Sequence, residues 1–96
     1  MRHTYIVCYD ISDQKRLHRM FKTMKGFGDP LQYSVFFCTL SASEKIVMVS
    51  KVLEVMNCNE DRFMIVKIGP EDTSLSKSFE FFGKRKPLEH SSCIII

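Results

Sequence analysis

An aspartate at the end of an apolar strand pattern is the first residue of this sequence whose type and position suggest chemistry. Residues 4–10 alternate aromatic and β-branched types as a β-strand does, and Asp10 is the last of them. A carboxylate at a strand end, just before a helix, can coordinate Mg²⁺ or Mn²⁺, since these cations prefer oxygen ligands. One Asp is too few for a metal site, but a two-fold axis could bring two copies of Asp10 together. The alternative is that Asp10 only caps the loop.

The helix that follows is predicted to carry a cationic surface. No acidic residue lies between Gln14 and Gly28. Like charges this close repel one another unless phosphates or counterions neutralise them, so this face is a candidate phosphate-binding surface. The alternative is a solvated face that serves only solubility. The candidate nucleic-acid-binding residues are Lys15, Arg16, Arg19 and Lys22.

Two further groups of residues invite a chemical interpretation. Residues 33–37, Tyr-Ser-Val-Phe-Phe, could form a core, a dimer interface or a base-stacking platform, and core or interface is favoured. The acidic pair Glu60 and Asp61 is interpreted as a solvated turn at a strand entry. The four cysteines form no C-x-x-C pair, which argues against zinc.

The spacing of apolar residues along the sequence predicts the helices and strands that hold these residues. Residues 14–25 show an apolar stripe at helical spacing after an N-cap at Asp13 or Ser12, and Ser41 with Glu44 forms a capping box for a second helix. Strands are predicted at residues 4–10, 31–40 and 62–68, with a short last strand at 78–82. A ferredoxin-like β-α-β-β-α-β sandwich requires one more strand, which must come from residues 27–32.

Length and composition point to a single α+β domain. The chain has 96 residues, of which 45% are hydrophobic and 26% charged, an ordinary globular composition. No apolar run is long enough for a membrane span, and the N-terminus does not read as a signal peptide, so the cytoplasm is the expected compartment. We assign residues 1–83 to the domain and residues 84–96 to a C-terminal tail. The basic and apolar groups of that tail, 84–86 and 93–96, are expected to touch phosphate or to pack on a neighbour, with a prenylation motif a remote alternative.

Four stretches of the sequence together form a recognisable pattern. They are Tyr9-Asp10-Ile11 at the end of a strand, the helix with Arg16 and Arg19, Gly28 followed by Gln32-Tyr33-Ser34-Val35-Phe36, and Asp61 opening a strand that ends at Gly69. With these stretches the chain resembles the Cas-two family of CRISPR-associated proteins, over about residues 4–82. It departs from the family pattern at Asp29-Pro30, where basic or β-forming residues are usual.

The resemblance implies an architecture. Family members are ferredoxin-like homodimers whose two sheets face each other. A C-terminal strand often joins the sheet of the partner subunit, and residues 78–82 are the segment here that could do so.

The resemblance also implies roles for particular residues. Asp10 would be the catalytic residue and the Mg²⁺ (or Mn²⁺) ligand, one from each subunit. Arg16 and Arg19 would contact phosphate, while Tyr9, Ser34 and Phe36 would support the site or the interface.

Two functions remain open on the sequence, with a third ranked last. The first is a metal-dependent endonuclease that cleaves RNA or double-stranded DNA. The second is a scaffold for CRISPR adaptation (spacer acquisition), in which the dimer bridges two dimers of the Cas-one integrase and holds the incoming DNA. A ligand-binding regulatory module is the third, and residues 11–14 lack the glycine-rich loop it would need.

Overall fold

Seven elements make up the part of the chain that the structure describes. In the computed structural model these are residues 1–68 and 79–84. The elements in chain order are β1 (Arg2–Asp10), α1 (Gln14–Met24), β2 (Gly28–Gln32), β3 (Val35–Ser41), α2 (Ala42–Val55), β4 (Arg62–Ile68) and β5 (Phe79–Gly83). The predicted β-α-β-β-α-β order and the α+β class are confirmed, with β5 as a fifth strand. Ser78 and the tail residues 85–96, for which roles were predicted, lie outside the described residues.

The strands form one antiparallel sheet in the order β2-β3-β1-β4-β5. β1 is the middle strand, where Cys8 is opposite Val35 of β3 and Asp10 is opposite Arg62 of β4. β4 lies in the interior of the sheet, as its apolar sequence predicts. β5 pairs with β4 of the same chain, so its expected addition to the sheet of a partner stays a prediction about the dimer.

Local signals explain where both helices begin. The Asp13 side chain accepts a hydrogen bond from the backbone N–H of Arg16 at 2.9 Å, which confirms Asp13 as the N-cap of α1. The predicted capping box of α2 is also present. The Ser41 hydroxyl accepts from the N–H of Glu44 at 3.1 Å, and the Glu44 carboxylate accepts from the N–H of Ser41 at 2.8 Å.

The region between the helices divides into a hairpin, as the fold requires. β2 contains Pro30, which cannot donate to a ladder, and β2 accordingly lies at the edge of the sheet with a register shift beside that proline. Gly28 allows the two strands to approach, because a Cβ there would lie 2.5 Å from the Cys38 Sγ. Asp29-Pro30 is therefore compatible with the hairpin.

The two faces of the sheet differ in what covers them. On one face the strand side chains pack against both helices and form the core, with Val7, Phe36, Ile65, Met20 and Met48 fully buried. Alternate strand residues point to the opposite face, which no helix among the described residues covers. We call this the open face. Its apolar members include Ile6, Cys8, Val35, Phe37, Met64, Val66, Ile68 and Phe81.

The helices are too short or too polar to cross a bilayer. Among the described residues no helix is both long and apolar enough for a membrane span.

Candidate metal and nucleic-acid site

Asp10 lies at the rim of the open face. It ends β1 and alternates with Ile6 and Cys8, so its side chain emerges on the same side of the sheet as theirs. The side chain is 69% exposed. Arg62, directly opposite on β4, donates from Nη2 to Asp10 Oδ2 at 2.8 Å. Within the described residues Asp10 has this single side-chain partner, which uses one of its two carboxylate oxygens.

Tyr9 lies on the other side of the same strand and supports its end. The buried ring stacks between Phe36 and Phe63, with centroid distances of 6.2 and 6.1 Å. Its hydroxyl donates to the carbonyl of Tyr33 at 2.8 Å, and its N–H donates to the carbonyl of Ser34 at 3.1 Å. Burial, and secondarily the nearby Tyr33, raises the pKa of the Tyr9 phenol well above its usual range. Tyr9 is therefore a neutral hydrogen-bond donor that positions the strand carrying Asp10.

Asp61 is fully buried, which shows that the interpretation of Glu60 and Asp61 as a solvated turn was wrong for Asp61. The Asp61 carboxylate accepts hydrogen bonds from the N–H of Ser12 at 3.0 Å and from the N–H of Asn57 at 2.8 Å. It also accepts from Arg16 Nε at 2.9 Å. A buried carboxylate is stable only when it is paired in this way. Asp61 thus ties the β1–α1 loop to the α2–β4 loop.

Hydrogen bonding reverses the effect of burial on this carboxylate. Burial alone would raise the pKa of Asp61, but the Arg16 guanidinium and the N–H groups of Asn57 and Ser12 outweigh it and lower the pKa below its ordinary value. Asp61 is an anion under neutral conditions, and its function here is structural.

Arg16 is already engaged in ion pairs within the chain. Besides its bonds to Asp61, its Nη2 contacts Glu60 at 3.0 Å, and the side chain is only 21% exposed. The hydrogen bond that the Arg16 guanidinium donates to the Asp61 carboxylate is the main reason that the pKa of Arg16 is raised. The prediction that Arg16 contacts phosphate is not tested by this geometry. The observed pairing favours a role in holding α1.

The other predicted basic residues are exposed on the outer surface of α1. Lys15, Arg19 and Lys22 are spaced four and three apart, so they form one line along the helix, and all three are exposed. None of them has an ion-pair partner among the described residues. A line of unpaired cations is the arrangement that binds a phosphate backbone.

The residues present fit a hard divalent cation only if two chains contribute. No group of three or more His, Cys, Asp and Glu side chains lies close enough to hold a metal within the described residues. Asp10 supplies oxygen ligands, which suit Mg²⁺ or Mn²⁺ rather than Zn²⁺. One exposed carboxylate per chain is half of the pair that a symmetric site would need.

Sequence reasoning missed Arg62 as a partner of Asp10. The two residues are 52 positions apart, and only the register of β1 on β4 brings them together. A weak signal existed, because Arg62 opens a predicted strand and Asp10 ends one. In antiparallel neighbours those two positions meet, but the sequence does not say which strands are neighbours.

Comparisons with known proteins agree with this fold and with the family resemblance of the sequence. A family model described as "CRISPR associated protein Cas2" matches residues 2–74. A CRISPR-associated endoribonuclease Cas2 from Geobacter sulfurreducens is 43% identical over 86 residues, covering 83% of this chain and 90% of that protein. A Cas2 endoribonuclease from Rhodospirillum rubrum is 42% identical over 95 residues, covering 97% of this chain and 91% of that protein.

Solved structures show the same fold. A hypothetical protein from Thermus thermophilus superposes with a TM-score of 0.70 at 24% identity, over 78% of this chain and 92% of that one. Streptococcus pyogenes Cas2 superposes with a TM-score of 0.66 at 22% identity, over 71% of this chain and 88% of that one. The family match across most of the chain, together with the two relatives above 40% identity, shows that this protein belongs to the Cas2 family of CRISPR-associated proteins.

Proposed function

We propose that this protein acts in CRISPR adaptation as a cytoplasmic homodimer that binds nucleic acid and hydrolyses phosphodiester bonds with Mg²⁺ or Mn²⁺. The observation that carries the proposal is the position of Asp10, an exposed carboxylate at the end of the middle strand and on the open face. Relatives that cover most of this chain are named endoribonucleases, which supports RNA as one substrate class.

The open face supports the dimer. Phe37 on β3 and Phe81 on β5 are large apolar side chains, 40% and 45% exposed, on a face that no described helix covers. A 96-residue chain buries a modest fraction of its surface alone, so pairing two such faces would remove substantial apolar area from water. Facing sheets would also bring two Asp10 side chains towards the two-fold axis.

The positions of these residues give each of them a different role in the proposed reaction. The two Asp10 carboxylates would hold one divalent cation, which when bound supplies a water of lowered pKa and polarises the phosphodiester. Tyr9 would keep the end of β1 in place from the core side, with Ser34 and Phe36 supporting it. The basic line on α1 would bind backbone phosphates away from the reacting atoms.

Cleavage of labelled RNA and labelled duplex DNA with Mg²⁺ or Mn²⁺ tests the catalytic proposal. Asp10→Asn is expected to abolish cleavage and to leave the dimer intact, since it removes the ligand charge and keeps the shape. Asp29→Asn is the matched control, because Asp29 is an exposed aspartate on the edge strand β2. Cleavage by a clean Asp10→Asn preparation at the wild-type rate would contradict the proposal.

A second candidate function is a scaffold that bridges Cas-one integrase dimers and prespacer DNA without catalysis. The observation that favours it is the basic line of Lys15, Arg19 and Lys22, which has no ion-pair partner among the described residues, whereas Asp10 is the single carboxylate that each chain would supply to the metal site. On this account Asp10→Asn retains spacer acquisition.

The salt dependence of DNA binding tests the surface that the scaffold needs. Replacing Arg19 and Lys22 with Gln is expected to reduce the slope of log K against log salt by about one per lost phosphate contact. Replacing Lys51 and Lys67 with Gln, both at exposed positions outside α1, is the charge-matched control. An unchanged slope in the Arg19 and Lys22 variant would exclude this surface.

A further inference from the structure

Arg62 contacts Asp10, the proposed metal ligand, but the proposed metal site assigns no function to Arg62. It is the first residue of β4, and its guanidinium bonds the carboxylate of Asp10 at 2.8 Å. The Arg62 side chain is 32% exposed, so it is partly enclosed by the sheet and does not extend freely into solvent. This is its sole side-chain hydrogen bond among the described residues, and the guanidinium has further N–H groups available.

The pair has consequences for two chains that meet at the open face. Two bare carboxylates brought together repel each other, and one of them would have to take up a proton or a cation. An Arg beside each Asp10 makes each Asp10–Arg62 pair neutral, so the open faces of two chains can approach each other without a metal. Neutral pairs at the rim therefore permit a dimer in the absence of divalent cations.

The same pair opposes metal binding. Arg62 holds Oδ2 of Asp10, one of the oxygens that a divalent cation would use. A guanidinium at about 6 Å from a divalent cation also repels it, by an amount that corresponds to about tenfold in affinity even in water. A cation that used Oδ2 would require Arg62 to move away, and the displaced guanidinium would then be available to a phosphate oxygen, which it can bind through two N–H groups.

We propose that Arg62 is the resident counter-ion of Asp10, which neutralises the facing carboxylates in the metal-free dimer and is displaced when a divalent cation binds. This inference rests on the proposed function, because it requires that two Asp10 side chains face each other. It adds a positioning residue that sets the metal affinity of that site and releases a phosphate-binding group when the site is filled.

Mn²⁺ binding measured by electron paramagnetic resonance, together with sedimentation in a chelator, tests the inference without relying on activity. The variants are Arg62→Gln, Arg62→Lys, Asp10→Asn and the charge-matched control Lys51→Gln. Circular dichroism confirms that each is folded. Arg62→Lys keeps the positive charge and tests whether that charge alone is sufficient.

Two opposite effects are expected for Arg62→Gln. Its dissociation constant for Mn²⁺ should fall by about three- to tenfold, since an exposed ion pair and a repulsive charge are both removed. Its dimer should dissociate more readily in chelator and recover with Mn²⁺. Arg62→Lys and Lys51→Gln should stay close to wild type in both measurements.

The Mn²⁺-binding results distinguish a failure of the counter-ion role from a failure of the proposed metal site. If Asp10→Asn removes Mn²⁺ binding while Arg62→Gln binds Mn²⁺ no more tightly than wild type, the counter-ion role is wrong and the metal site stands. If neither wild type nor Arg62→Gln binds Mn²⁺ through Asp10, both the metal site and the counter-ion role are overturned.

Discussion

Asp61 shows how much one buried carboxylate can contribute to this fold. Replacing it with Asn keeps the volume but removes the charge that pairs with Arg16 and weakens two contacts to loop N–H groups. We expect Asp61→Asn to lower the free energy of unfolding by about 2–4 kcal/mol, as for other broken buried pairs. Urea unfolding measures this change. Glu60→Gln is the control, because Glu60 pairs with Arg16 from an exposed position, and a loss of more than about 1 kcal/mol there would not fit this account.

The lowered pKa of Asp61 also predicts an acid limit to stability. A carboxyl whose pKa is lower in the folded than in the unfolded chain stabilises the fold above its unfolded pKa of about 3.9. That stabilisation is lost as the pH falls from about 4 through the lower pKa of the folded state. Urea midpoints of wild type and Asp61→Asn should therefore converge below about pH 4. A difference between them that stays constant down to pH 2 would contradict the assigned pairing.

At the scale of elements, Gly83 fixes how β5 ends beside the α2–β4 loop. Its φ of +99° favours glycine, and a Cβ there would lie 2.1 Å from the Asp61 carbonyl oxygen. Gly83→Ala is expected to displace the end of β5 and to destabilise the protein by about 1–3 kcal/mol. Thermal unfolding followed by circular dichroism measures this. Gly26→Ala, whose Cβ would meet Thr23 at an ordinary 3.4 Å, should be tolerated, and equal losses in the two variants would argue against the close approach.

The elements were largely predictable because their signals are local. The Asp13 and Ser41 caps place both helices correctly, alternation places β1, and an apolar run on both faces places β4. The division between β2 and β3 could be inferred only from the needs of the fold, since residues 31–40 read as one apolar run.

Pairing between distant elements was not predictable. The buried environment of Asp61 arises where two loops meet, and the bond from Arg62 to Asp10 arises from strand register. Arg16 belongs to the same class, because its position in the sequence is typical of a free cation while the fold supplies it with two acidic partners.

At the scale of the molecule, one face of the sheet packs against its own helices, and the open face is the surface that we propose for a second chain. Phe37→Lys places a charge on the open face and is expected to convert the dimer to a monomer without unfolding it, because its side chain lies outside the core. Sedimentation equilibrium measures the association. Ile46→Lys is the matched control, since Ile46 is 70% exposed on α2. A dimer that persists in Phe37→Lys but is lost in Ile46→Lys would place the interface on the helices instead.

Two chains are proposed to share one metal through Asp10, and the number of Mn²⁺ ions bound per chain tests this sharing. Equilibrium dialysis at protein concentrations where the dimer is complete gives this number. We predict one tightly bound Mn²⁺ per two wild-type chains and none in Asp10→Asn, with the Asp29→Asn control unchanged. One Mn²⁺ per chain, or binding that survives in Asp10→Asn, would contradict a shared site on the dimer axis.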